Sequence, residues 1–140
     1  MSQENVSLVR DLTELVSSVL GPDPDALDRA LGDYADERFE LHLPADYPEG
    51  GQISRGREGM RAHVALLRET WREWRFVPER FLDANDRVVV FALLVARGHE
   101  SGVPIELETN HVWTIRDGRA TSMRVYRDRL EALEAVGLRE

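Results

Sequence analysis

Cysteine is absent from this 140-residue chain, and so is lysine: all 18 basic residues are arginine. Without a thiol there is no disulfide, no thiolate nucleophile and no sulfur ligand for a metal. Without a lysine amine there is no Schiff base and no covalent seat for pyridoxal phosphate. No apolar run approaches the roughly 20 residues that a membrane-spanning helix needs. The opening MSQENVSLVRD lacks the basic start and apolar stretch of a secretory leader, so a cytoplasmic location is expected. Positive charge is scarce as well. Against 26 acidic residues the net charge is −8, and residues 1–50 hold 3 Arg and 12 Asp or Glu. No basic patch with interleaved aromatics is visible, so neither nucleic acid nor an anionic membrane surface is an expected partner.

Chemical motifs are missing too. The four histidines stand at 42, 63, 99 and 111, with no HxH or HExxH spacing, so no metal is expected. His63 and His99 read as surface residues. RGREG at 55–59 reads as a helix start and not as a phosphate cradle, and no GxSxG elbow occurs. Any chemistry therefore falls to His, carboxylates, Tyr, Ser/Thr and Arg, without a cofactor.

What is present reads as one α+β domain over residues 1–140. Val6, Val9, Leu12, Val16 and Val19 fall at helical spacing over 3–20, with Ser2 as N-cap. GPDP breaks that helix, and a second, capped by Asp23, buries Leu27, Leu31 and Tyr34. RFELHLP alternates as a strand. A third helix starts near Gly56 and carries Met60, Val64, Leu67, Trp71 and Trp74 on one stripe. Four strands follow: FVPERFLDA, RVVVFALLVARGH, VPIELETNHVWTI and RATSMRVYRD. The short connections NDR, ESG and RDG predict hairpins. A last short helix is capped by Asp128 and stopped at Gly137. The expected architecture is a curved antiparallel sheet wrapped around three helices from the N-terminal half, an α+β cone, with a short C-terminal helix.

Four stretches, SQENVSLVRDL, YADERFELHLP, SRGREGMRAHV and HVWTIRDGRATSMRVYRDRLEAL, resemble the SnoaL-like branch of the nuclear transport factor 2-like superfamily. The resemblance implies a hydrophobic pocket for a small molecule and a homodimer formed through the outer sheet face. It also implies an activity drawn from cofactor-free isomerases, cyclases and dehydratases, or none, because the fold hosts ligand-binding proteins and interaction modules as well. By the resemblance, His42 occupies the general-base position of ketosteroid isomerases and His111 that of their oxyanion-stabilising Asp. Trp113 falls on an aromatic pocket wall and Tyr34 at the pocket floor. There are departures. The first helix has no Tyr to complete an oxyanion site, and Val125 and the apolar FALLV stretch stand where limonene-type epoxide hydrolases keep their catalytic groups.

The catalytic candidates are thus His42 and His111, one as base and the other as donor to a developing oxyanion. Either can instead bond only a neighbour in a non-catalytic pocket. Alternation supports the inward placement of His111, which shares a face with Ile105, Leu107, Thr109, Trp113 and Ile115. Glu106, Glu108 and Asn110 fall on the other face, open to solvent or a second subunit. Alternation does not support His42, whose inward placement rests on the resemblance. The binding candidates are Tyr34, Glu40, Tyr47, Trp71, Trp113, Met123, Val125 and Arg127. Glu40 would orient His42 or end a strand in water. Tyr47 would cover the cavity mouth or pin its own loop. Arg127 would meet a ligand carboxylate or enolate, or form a rim ion pair.

Overall fold

The computed structural model describes residues 2–17, 25–44, 53–100 and 102–138. The elements run α1 (Ser2–Val16), α2 (Ala26–Tyr34), β1 (Ala35–His42), β2 (Ile53–Arg55), α3 (Gly56–Thr70), β3 (Trp71–Ala84), β4 (Arg87–Gly98), β5 (Pro104–Arg116), β6 (Arg119–Tyr126) and α4 (Arg129–Ala135). All six strands form one sheet in the order β2-β1-β6-β5-β4-β3. The expected Asp23 cap lies outside the described residues.

The hairpins follow from local chemistry. Asn85 has φ 66° in the β3–β4 turn, and Asp117 and Gly118 have φ 54° and 75° in the β5–β6 turn. Left-handed conformations of that kind are what Asn, Asp and Gly tolerate, and the turns they form match the twist of the flanking strands. The sheet is mixed, which corrects the antiparallel expectation: β1 runs parallel to β6, while the other neighbouring pairs are antiparallel. The parallel pair joins the first strand to the last, across a connection that includes α3 and the long hairpins.

Alternation along the central strands divides the apolar residues between two faces. On the inner face, Val88, Val90, Trp113 and Val125 join Val9 and Leu12 of α1, Ala30 of α2 and Phe39 of β1 in the main core, and Met60 of α3 packs against it. On the outer face, Val89, Phe91 and Val112 pack with Ala132 and Leu133 of α4. Two hydrogen bonds hold α4 in place: Asp128 accepts from Leu130 N at 2.7 Å, and Arg87 Nη1 donates to Ala135 O at 2.6 Å. Gly137, with φ 76°, ends that helix where the sequence placed its stop.

The third helix is shorter than its apolar stripe suggested. It ends at Thr70, and Trp71 and Trp74 belong to β3. An irregularity between Trp71 and Glu73 inserts one residue into that strand, so Trp71 and Trp74 both face inward despite a spacing of three. A second irregularity separates Pro78 from Arg80 and lets Pro78 and Phe81 oppose Ala92 and Val90.

Candidate functional site

A cavity of about 270 Å³ lies between the inner sheet face and the helices. An engineered cavity of about 150 Å³ already holds benzene, so this one has room for a fused ring system. Leu12, Leu27 and Ala30 close it from α1 and α2, and Met60, Val64 and Leu67 from α3. Phe39, Phe76, Trp71, Trp74 and Leu94 add large apolar side chains to the wall. Ile105 and Leu107 also line it, and they are 40% and 52% exposed, which marks this end of β5 as the mouth.

β5 carries the polar groups inward. Thr109, His111 and Trp113 occupy successive positions of one face and are almost fully buried. The cross-strand partners of His111 and Trp113 are Val125 and Met123, which line the cavity beside them. The Thr109 hydroxyl lies 3.0 Å from His111 Nε2. Phe76 meets the imidazole edge-on at 4.6 Å between ring centres, and Phe39 tilts against Trp113 at 6.1 Å. Burial among these apolar groups pushes the His111 pKa down to about 4, so the ring is neutral at pH 7. Its Nδ1 and the Trp113 Nε1 are buried without a hydrogen-bond partner. Leaving a buried polar nitrogen unpaired costs about 1–3 kcal/mol, and these two lie on one strand face.

Of the residues expected at a site, His111, Trp71, Trp113, Met123, Val125 and Arg127 line this cavity. His42 does not, which corrects the inward placement implied by the resemblance. Phe39 and Leu41 are buried in the inner core, so the two-residue period of β1 turns Glu40 and His42 outward. There His42 Nε2 meets Glu40 Oε1 at 3.0 Å, and Arg124 Nη2 donates to His42 Nδ1 at 3.2 Å. Arg55 Nε donates to Glu40 Oε2 at 3.0 Å. That guanidinium first, and then His42, holds the Glu40 carboxyl below its usual pKa. Glu40 and His42 thus form an outer-face polar cluster tying β1 to β2 and β6. Tyr34 ends α2 and packs against the inner core without lining the cavity. Tyr47 lies outside the described residues.

Two further expectations are corrected. His63 is buried and lines the cavity from α3, whereas His99 is exposed, its Nε2 at 2.7 Å from Arg68 O. The signal for His63 was there: it stands three residues after Met60 and four before Leu67, on the buried stripe of its helix. Asn110 is not open to solvent. It is buried on the outer side of β5, where its Nδ2 donates to Tyr126 O at 3.2 Å, while Glu106 and Glu108 are exposed.

A family model described as a SnoaL-like domain matches residues 14–123. An NTF2-like protein of unknown function from Burkholderia pseudomallei superposes with a TM-score of 0.75 at 22% identity, over 98% of this chain and 99% of its own. An NTF2-like protein from Burkholderia xenovorans gives 0.71 at 25% identity, over 98% of both chains. TerC, co-crystallised with polyporic acid, gives 0.71 at 25% identity, over 95% of this chain and 98% of its own. No curated protein sequence matches the chain.

Proposed function

The chain belongs to the SnoaL-like family, and on that footing we propose that it binds a hydrophobic small molecule in the cavity under its sheet. The observation that carries this is a sizeable, largely apolar cavity with His111, His63 and Trp113 among the residues that line it. The similarity to TerC, which was crystallised with polyporic acid, supports a small organic ligand. If the bound molecule is turned over, the chemistry is cofactor-free isomerisation, cyclisation or dehydration. His111 is then the group that donates to, or accepts from, the reacting oxygen. His63, on α3, is a second imidazole at the cavity wall.

Binding without turnover is the second reading. It is favoured by the outward position of His42, which leaves the expected pair of His42 as base and His111 as donor unassembled in the cavity. A screen of apolar ring compounds by thermal shift tests binding, and product analysis on each hit separates the two readings. The expected result is a hit that stabilises the wild type and His42→Ala equally and stabilises His111→Ala much less. No hit at all, or a response lost in His42→Ala and kept in His111→Ala, overturns the site. We further propose a homodimer through the part of the outer sheet face that α4 leaves open, around Val95, Glu106 and Glu108. Sedimentation should then report twice the 16.0 kDa chain mass, and a monomer at micromolar concentration overturns the dimer.

A further inference from the structure

The charge of the cavity wall constrains the chemical class of the ligand. The chain carries 26 acidic residues and a net charge of −8, yet among the described residues no carboxylate lines the cavity. The one permanently charged side chain that lines it, again among the described residues, is Arg127. Arg127 follows the last residue of β6. The register of that strand sets His111 opposite Val125 and Asn110 opposite Tyr126, which carries Arg127 to the level of Thr109. Beyond Thr109 on the same face of β5 come Leu107 and Ile105, the exposed apolar residues of the mouth. Arg127 is itself exposed. The guanidinium therefore stands where an oily interior meets water. Deeper on β5, Trp113 carries no charge, and burial keeps His111 neutral at pH 7. An anion pushed to that depth loses its hydration and meets no cation. At the mouth it keeps part of its water and gains a planar fork of N–H donors. The neighbouring acid, Asp128, is engaged at the start of α4, where it accepts from Leu130 N. A guanidinium carries five donors, so a partner in the protein and a ligand carboxylate can share it.

Resting on the binding proposal above, we infer that the ligand is an amphipathic acid, with an apolar body seated in the cavity and an ionised carboxylate held at the mouth by Arg127. The field of the whole acidic molecule draws cations, so the guanidinium reverses that preference at this one place. A neutral molecule of the same shape still binds through its apolar body. A cation of the same shape meets Arg127 as like charge and finds no carboxylate among the described lining residues.

Three probes with one ring system test this: 2-naphthylacetate, 2-naphthylacetamide and 2-naphthylethylammonium. By calorimetric titration at pH 7, the wild type should bind the acetate about fivefold more tightly than the acetamide, as one solvent-facing ion pair allows. It should bind the ammonium more weakly than the acetamide. In Arg127→Gln the acetate preference should fall to about twofold or less, while the acetamide binds as it does to the wild type. Arg127→Lys keeps the charge and should keep most of the preference. Equal binding of acetate and acetamide by the wild type, or a preference for the ammonium, overturns the inference and leaves hydrophobic binding standing. So does an acetate preference that survives Arg127→Gln or is lost in Arg127→Lys. If none of the three probes binds, the binding proposal falls and takes the inference with it. A measurement on the wild type alone guards against a variant that does not fold. With a carbon-13 label in the carboxyl group, bound 2-naphthylacetate should be at least as ionised at pH 5 as the free acid. A bound group more protonated than the free acid would place the head in the apolar interior and overturns the inference.

Discussion

His111 shows what burial does to one side chain. Its ring is neutral in the folded protein down to a pH of about 4, whereas in the unfolded chain it takes up a proton below about 6.5. Between those values the unfolded state binds more protons, so stability falls as pH drops through this window and is fully present above it. The full penalty is on the order of 3 kcal/mol below pH 4. Urea unfolding at pH 7, 6, 5 and 4 should therefore show the wild type losing stability relative to His111→Phe, and a pH-independent difference between the two would contradict the burial of a neutral ring. The same alternation that placed His111 correctly also predicts the outward position of His42, because Phe39 and Leu41 needed the inner face. His42→Ala removes outer-face bonds to Glu40 and Arg124 that are partly solvent-exposed. It should change stability by less than about 1 kcal/mol and leave the ligand affinity of the cavity unaltered, which a paired denaturation and titration would check. The Trp113 indole was legible only as a wall, because a missing partner is a property of packing and not of pattern.

At the scale of elements, caps and turns were the most readable parts. Asp128 accepts from Leu130 N as its sequence position suggested, and Asp128→Ala should cost about 1 kcal/mol in thermal or chemical unfolding. Gly118 has open space around its missing Cβ but a φ of 75°. Gly118→Ala should therefore destabilise by about 1 kcal/mol through conformation alone, with no clash to relieve. Trp71 and Trp74 misled because a bulged strand and a helix both bring residues three apart onto one face. The three-residue β2 was not visible, being too short to show a period. The pairing of β1 with β6 was not visible either, since nothing local encodes which distant strand a first strand will meet or in which direction.

Across the whole molecule, the sheet separates two jobs. Its outer face packs α4 through Val89, Phe91 and Val112, and its inner face is shared between core packing and the cavity. A ligand that binds only the folded state adds about 2.7 kcal/mol at a hundred times its Kd, so a saturating ligand should raise Tm by roughly 8 °C. A shift that does not grow with ligand concentration would show that the compound acts elsewhere. The helix-sheet-helix order was readable from periodicity, and the cavity was not, because its volume arises where side chains from several elements fail to meet. The irregularities in β3 have an effect beyond turning Trp71 and Phe81 inward. β3 is one border of the sheet, and the other border is the three-residue β2. Two bulges, Pro78 and the exposed charges of Arg72, Arg75, Glu79 and Arg80 interrupt the row of backbone groups that a foreign strand would need to zip onto. A molecule that keeps an oily cavity under an open sheet is in this way kept from polymerising through its own edges.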